Sequence, residues 1–228
     1  MDALDSGLLG RYGKVKLNVS DQVIKAERDP SSVTLIAVSK THPFSMIETL
    51  YSAGHRDFGE NYVQELVDKA NEATKRGMNE IRWHFIGHLQ TNKVKILLPH
   101  IFLLHTLDRL SLYEEIVKRI GSLHVQALLE VNIDHEESKS GLKPAEVESF
   151  LQGLPAGSGI DLKGWMAIPK PGTSDEARAS FRALKALAQQ NKNTVGETLS
   201  MGMSSDYGDA ISEGANYIRV GTAIFGER

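Results

Sequence analysis

The sequence predicts an α/β protein: a single (β/α)8 barrel over residues 1–228, with one extra helix before the first strand. The main observation is an alternation, repeated eight times, of short apolar runs with longer amphipathic segments. The length of 228 residues suits the compact end of this fold. An open doubly wound sheet is the second choice, because the first strand-to-helix turn has no G-x-G-x-x-G pattern.

The eight predicted strands are short runs rich in β-branched and aromatic residues. They are VTLIAVS (33–39), RDFG (56–59), RWHFIG (82–87), IFLLHT (101–106), VQALLEVN (125–132), LKGWMAIP (162–169), TLSMGMS (198–204) and YIRVG (217–221).

The predicted helices lie between these strands and carry apolar residues at helical spacing. They are PFSMIETLYSAG, YVQELVDKANEATKRG, TNKVKILLP, RLSLYEEIVKRIG, PAEVESFLQGL, SDEARASFRALKALAQQN and DYGDAISEG. The extra helix is predicted over roughly residues 14–28. Pro43 and Pro144 suit first-turn positions, and Ser174 is placed to cap the helix that follows it.

Composition excludes several classes of function. The net charge of -3 gives no basic surface for nucleic acid or anionic membranes, and no stretch is long and apolar enough for a membrane helix. The chain has no cysteine, which removes disulfides, thiolate metal sites and cysteine nucleophiles. The N-terminal residues do not resemble a signal peptide. We therefore expect a cytoplasmic protein without nucleic-acid or membrane partners.

Lys40 is the first candidate site residue, because barrels carry function at the C-terminal ends of their strands. By alternation it shares a strand face with Ile36 and Val38. If that face points inward, Lys40 reaches the barrel mouth, where partial desolvation favours an amine that forms Schiff bases. The alternative is an ordinary solvated lysine.

Two loops at the other side of the predicted mouth suit an anion. Ser204 and Ser205 follow the seventh strand, and Gly221 and Thr222 follow the eighth. Barrels often bind phosphate with these two loops, through hydroxyls and backbone N–H groups. The alternative is a pair of ordinary helix caps. A lysine facing a phosphate site is the arrangement that pyridoxal 5'-phosphate (PLP) requires.

Arg219 shares strand parity with Gly221 and is expected to point inward. A buried guanidinium needs an acceptor. The pyridine nitrogen of PLP is one candidate, and it would then stay unprotonated. A salt bridge to Glu60 or Glu130 is the other candidate, and spacing alone does not choose between them.

The histidines predict no metal site. They are scattered over different elements, without H-E-x-x-H or a comparable pair. His84 is expected to line the barrel. The G-x-S-x-G motif of serine hydrolases is also absent.

Eight motifs together resemble the pyridoxal phosphate homeostasis proteins (the YggS/PROSC-like family). They are LIAVSKTHP, FGENYVQE, RWHFIGHLQTNK, LLEVNI, ESKSGL, GWMAIP, LSMGMSSDYGDAI and IRVGTAIFGER, and they run in order from about residue 33 to 228. The resemblance implies a PLP-binding barrel of fold-type III, similar to the N-terminal domain of alanine racemases.

The resemblance also assigns roles to ten positions. It implies Lys40 as the Schiff-base lysine, Arg219 as the partner of the pyridine nitrogen, and Gly221 and Thr222 as phosphate contacts. The remaining positions, near the ring or lining the pocket, are Asn61, His84, Met166, Met201, Ser204 and Ser205. Many members have a second lysine where this chain has His42, and many continue in a basic tail past the FGER string; Lys139 matches another lysine of the family.

Two functions follow from these expectations. The first is a PLP carrier or buffer in intracellular vitamin B6 homeostasis, with no catalytic residue. The second is a PLP-dependent amino-acid racemase. Two-base racemisation needs an acid/base on each face of the reacting carbon. Alanine racemases take the second base from a further domain, for which the sequence leaves no room after FGER. We expect a monomeric, non-catalytic carrier that serves PLP-dependent apo-enzymes; a pure protein-interaction module leaves Lys40 and Arg219 unexplained.

Overall fold

The structure is a computed structural model that describes residues 3–137, 139–155 and 157–227. Eight parallel strands close into a barrel in chain order. They are β1 (Thr34–Val38), β2 (Asp57–Glu60), β3 (Arg82–Phe85), β4 (Leu103–Leu107), β5 (Val125–Glu130), β6 (Ile160–Met166), β7 (Thr198–Ser200) and β8 (Tyr217–Val220). β1 closes the barrel, since Ile36 pairs with Arg219 on β8 and Ala37 with Phe58 on β2. The predicted (β/α)8 barrel is confirmed.

The helices surround the barrel and alternate with its strands. They are α1 (Ala3–Lys25), α2 (Phe44–Ser52), α3 (Val63–Lys75), α4 (Val94–Leu97), α5 (Leu110–Ile120), α6 (Val147–Gln152), α7 (Ser174–Gln190), α8 (Tyr207–Glu213) and α9 (Thr222–Phe225). α7 is capped by Thr173, whose hydroxyl accepts from the Glu176 N–H while the Glu176 carboxylate accepts from the Thr173 N–H. The expected cap, Ser174, is instead the first helical residue.

Alternate strand residues divide the core into two parts. Outward-facing side chains such as Phe58 and Trp165 pack with the helices in one large apolar cluster. A second cluster, of Leu103, Leu128 and Met166, lies inside the barrel. This apolar cluster therefore occupies part of the barrel interior below the mouth.

α1 begins at Ala3, about eleven residues before the expected start of the extra helix. Glycines at 7, 10 and 13 argue against a helix there, but tertiary packing outweighs their low propensity. One face of α1 carries a buried stripe with helical spacing: Leu8, Tyr12, Val15, Val19 and Val23. Arg11 also donates to the carbonyls of Ile224 and Phe225, which ties α1 to α9.

The seventh strand ends earlier than expected. β7 stops at Ser200, and Gly202 then takes a φ of 94°. A Cβ at this position would lie 2.6 Å from Ala210 Cβ and 3.0 Å from Tyr207 Cα. Glycine therefore permits both this positive φ and the close approach to α8, just before the turn that carries Ser204 and Ser205. No helix in the described ranges has the length and apolar character required to span a membrane.

Candidate functional site

A cavity of about 420 Å³ opens at the C-terminal ends of the strands. Its lining combines an amine, a guanidinium, several hydroxyls and an apolar wall: Val38, Lys40, His42, Asn61, Ile86, Ile168, Met203, Ser204, Ser205, Arg219, Gly221 and Thr222. These residues come from the ends of several strands, so only the closed barrel brings them together.

Lys40 stands two residues beyond the end of β1 and is half-buried. A Cβ added to Gly59 would meet Ile36 Cγ2 and Val38 Cγ2, so these two β1 side chains share a face with Gly59. Lys40 continues that alternation into the cavity. The next residue, Thr41, has a φ of 63°, an uncommon backbone conformation for threonine.

A buried polar network lies beneath this turn. Lys69 Nζ on α3 donates to the Ser39 carbonyl and to the carboxylates of Glu60 and Glu65, each at 2.7 Å. The Thr41 N–H donates to the same Glu65 oxygen at 2.6 Å. Burial raises the pKa of Glu60, and the charge of Lys69 partly offsets that rise. The network holds the backbone on both sides of Lys40.

The two expected anion loops lie side by side. Thr222 Oγ1 donates to Ser204 Oγ at 3.3 Å, and both residues line the cavity with Ser205 and Gly221. Ser204 and Ser205 stand in the turn before α8, and Gly221 precedes α9. Hydroxyls and backbone N–H groups of two helix-starting loops thus share one corner of the cavity, which suits a phosphate.

Arg219 is 4% exposed and lines the cavity floor. Its guanidinium donates to Ser200 Oγ at 2.7 Å and to the Ala167 carbonyl at 3.0 Å. Neither expected salt bridge forms among the described residues: Glu60 is engaged by Ser39 and Lys69, and Glu130 makes no ion pair with Arg219. The ion-pair alternative is wrong because neutral acceptors hold the guanidinium at the mouth.

A hydrogen-bonded chain continues from Arg219 down the barrel interior. His105 Nδ1 lies 2.8 Å from Ser200 Oγ, and His105 Nε2 lies 2.9 Å from His84 Nδ1. His84 Nε2 lies 3.1 Å from Asp57 Oδ1. Because the ionised Asp57 carboxylate can only accept, His84 Nε2 donates to it. His105 Nε2 then donates to His84 Nδ1, and the Ser200 hydroxyl donates to His105 Nδ1. This direction requires both imidazoles to be neutral.

The pKa shifts of these groups agree with that direction of hydrogen-bond donation. Burial lowers the pKa of His84 and of His105. Burial opposes ionisation of Asp57, but hydrogen bonds from Arg82 and His84 prevail and hold its pKa at about 2. Burial lowers the pKa of Arg219 to about 10, against the charges of Glu130 and Asp206. Arg219 therefore stays protonated at neutral pH.

Three expected site residues are not part of the cavity lining. His84 is fully buried in the chain below the mouth, Met166 lies in the interior cluster, and Met201 lies in the outer core. Met203, two residues past Met201, lines the cavity instead, and Gly202 with its φ of 94° lies between the two.

His42, Ile86 and Ile168 line the cavity although the site prediction did not include them. Alternation from Lys40 would have pointed to His42, whose ring stacks on Phe225 at 4.9 Å between centroids. Ile86 precedes Gly87, whose backbone lies against that of Asn61. A Cβ on Gly87 would lie 2.0 Å from the Asn61 carbonyl oxygen. Over the described ranges, no group of three or more His, Cys, Asp or Glu side chains is placed to hold a metal ion.

Comparison with known proteins places this architecture in a family. Residues 17–228 match the family model of the alanine racemase N-terminal domain. The pyridoxal phosphate homeostasis protein of Pseudomonas aeruginosa is 38% identical over 226 residues, covering 98% of this chain and 96% of the relative.

Two solved structures share the barrel. PipY of Synechococcus elongatus PCC7942, solved with PLP bound, superposes with a TM-score of 0.75 at 33% identity, over 91% of this chain and all of PipY. Alanine racemase of Corynebacterium glutamicum gives a TM-score of 0.68 over 94% of this chain and 61% of the racemase. At 15% identity, the latter likeness shows the fold alone.

Proposed function

We propose a function from the family of this chain, which belongs to the pyridoxal phosphate homeostasis proteins and carries the barrel of the alanine racemase N-terminal domain. The chain binds PLP and acts in intracellular PLP homeostasis. The observation that supports this most directly is the convergence of Lys40, Arg219 and two hydroxyl-bearing loops on one cavity.

The residues of the cavity fit the functional groups of PLP. When bound, PLP supplies an aldehyde that condenses with an amine, together with a phosphate and a pyridine nitrogen. Lys40 is the amine, and Arg219 is the donor to the pyridine nitrogen. The phosphate is held by Ser204, Ser205, Gly221 and Thr222, while Asn61, Val38, Ile86 and Ile168 surround the ring.

We infer that the protein carries or buffers PLP rather than transforming amino acids. A protonated Arg219 donates to the pyridine nitrogen and keeps it unprotonated, which weakens the ring as an electron sink. Racemisation also needs an acid/base opposite Lys40. Among the described residues that line the cavity, no tyrosine is available for that role.

The wider role follows from the same inference. The protein acts in the cytoplasm as a monomer, with residues 1–228 as one PLP-binding domain, and supplies PLP-dependent apo-enzymes. The open position of Lys40 at the rim supports exchange of the cofactor with such acceptors.

The test is the covalent attachment of PLP. The purified protein is incubated with PLP, its visible absorption is recorded, and the adduct is reduced with borohydride and located by peptide mass spectrometry. We expect the label on Lys40 and loss of the visible band in Lys40→Ala, with the band kept in the exposed control Lys93→Ala. A full band in Lys40→Ala would reject the proposed attachment.

The racemase alternative has its own assay. The PLP-loaded protein is incubated with L-alanine or D-alanine, and interconversion is followed by chiral chromatography. The carrier function predicts no turnover at enzymatic rates, which are commonly about 1–1,000 per second. Turnover in that range would contradict the carrier function and show that the protein is a racemase.

A further inference from the structure

A second cavity, of about 270 Å³, adjoins the first and shares its wall at Asn61, Ile86 and Ile168. We call it the annex. Its remaining lining comes from the ends of β3, β4 and β5 and from the loop after β5: Gly87, His88, Thr106, Glu130, Val131, Asn132, Lys139 and Ser140. The annex is not needed by the PLP contacts proposed above.

Three side-chain donors on the annex wall are engaged by the protein itself. Asn132 Nδ2 donates to the Glu136 and Lys139 carbonyls, and Thr106 Oγ1 donates to the Gly87 carbonyl. Lys139 Nζ pairs with the Glu136 carboxylate and reaches the Pro169 carbonyl at 3.1 Å. These three donors are therefore already used within the protein, which disfavours an anionic ligand.

Two acceptors on the same wall have no hydrogen-bond partner among the described residues. They are Glu130 Oε2 and Asn61 Oδ1, both shielded from solvent. Glu130 as a residue is only 8% exposed. Leaving a buried acceptor without a donor costs its full desolvation penalty, which is larger for a charged group, so a wall with two such acceptors favours a ligand rich in donors.

We propose that the annex binds the ammonium group of a primary alkylamine, with Glu130 as its carboxylate partner and the alkyl chain against Ile86, Val131 and Ile168. An ammonium has three N–H donors and one positive charge, which match a carboxylate and a neighbouring amide oxygen. The carboxylate of an α-amino acid would need a further donor, and Lys139 is already engaged.

The biological role of this amine site rests on the proposed function, whereas the binding itself does not. A primary amine is the class of molecule that competes with Lys40 for the PLP aldehyde. The same ammonium chemistry occurs in free alkylamines and in the lysine side chain of a recipient protein. The shared wall at Asn61 and Ile86 places either one beside the PLP cavity.

The charges around Glu130 make the binding depend on pH. Burial and the charge of Asp108 raise the pKa of Glu130 to about 7, against the opposite effect of Arg219 and Arg109. His88 and Lys139 are the other ionisable groups on the annex wall. Because the carboxylate form binds the ammonium, affinity rises as the pH rises through about 7.

The test is calorimetric titration of n-butylammonium into the PLP-free protein at pH 8. We expect saturable binding, about tenfold weaker at pH 6, and a loss of about tenfold or more in Glu130→Gln. The exposed control Glu114→Gln should bind as the wild type does, and Glu130→Asp should bind more tightly than Glu130→Gln. Thermal melting shows that each variant is folded.

Two further ligands identify the source of the amine. N-acetyl-lysine amide should bind like n-butylammonium if the annex takes a lysine side chain, whereas binding of the small amine alone indicates a free alkylamine. Alanine should bind more weakly than both. Equal affinity in the wild type and Glu130→Gln, or no binding by the wild type, overturns the proposal. The PLP spectrum of the same preparation tests the proposed function separately.

Discussion

Lys69 Nζ lies 2.7 Å from Glu60 Oε1, and both side chains are nearly inaccessible to solvent directly beneath the turn that carries Lys40. The same nitrogen reaches the Ser39 carbonyl and Glu65. An ion pair this deeply buried contributes little net stability compared with apolar residues, but breaking it is costly. Its position indicates that it holds the Lys40 turn in a defined place.

We predict that Lys69→Met destabilises the protein by about 3–5 kcal/mol, because it leaves Glu60 buried without its cation. Denaturant unfolding measures the change. Lys163→Met is the matched control, since its ion pair with Asp161 is about half exposed and should contribute less than about 1 kcal/mol. The double variant Lys69→Met/Glu60→Met should recover much of the loss. Similar losses in the two single variants would contradict a special role for the buried pair.

The phosphate corner can be tested without disturbing the lysine. We predict that Thr222→Val lowers the affinity for PLP by about tenfold, because a hydrogen bond to a charged group contributes about 1.5–3 kcal/mol. Affinity for pyridoxal, which has no phosphate, should stay unchanged. Ser212→Ala, an exposed hydroxyl on α8, is the control. Equal losses for PLP and pyridoxal would place Thr222 elsewhere in the site. Absorption titration measures both ligands.

Acid should destabilise the barrel through its buried histidines. Burial lowers the pKa of His55 to about 4 and that of His84 and His105 below the usual value. Below about pH 6.5 the unfolded chain binds protons on these rings and the folded chain does not, so stability falls with falling pH. From pH 6.5 to pH 5, His55 alone accounts for about 1.5 kcal/mol.

Urea unfolding between pH 5 and pH 8 measures that dependence. His55→Gln should reduce the slope, although it also removes the hydrogen bond to Tyr12 and lowers stability at every pH. His124→Gln, on an exposed histidine, should leave the slope unchanged. An unaltered slope in His55→Gln would show that this ring does not carry the effect.

Replacing either of two glycines by alanine should change the stability of the protein, in opposite directions at the two positions. Gly87→Ala places a Cβ 2.0 Å from the Asn61 carbonyl oxygen, so the backbone beside the cavity must move, and we expect marked destabilisation with weaker PLP binding. Gly13→Ala in α1 meets nothing within 4 Å and should stabilise by about 0.5–1 kcal/mol, because alanine favours helix. Thermal melting of both variants compares them. Stabilisation by Gly87→Ala would contradict the close approach.

Strand alternation and loop position predicted the cavity-lining residues better than motif membership did. Of the residues expected near PLP, those placed by strand alternation or by a loop after β7 or β8 lie on the cavity, as Lys40, Arg219 and Thr222 do. Of the residues expected from motif position alone, Asn61 lines the cavity, whereas Met201 lies behind the wall. Residues of one motif share a segment of the chain, but their side chains point in different directions, so motif position alone does not predict which of them reach the cavity.

The sequence by itself determined the barrel, the order of its elements and the rim position of Lys40, because alternating hydrophobicity and strand parity are local properties of the chain. Only the tertiary structure decided the length of α1, the neutral acceptors of Arg219 and the chain of histidines to Asp57. The same holds for Glu130, whose Oε2 has no hydrogen-bond partner in the part of the chain that the structure describes. These features depend on which side chains from distant strands meet inside a closed barrel, where burial sets the protonation state and the hydrogen-bond partner together.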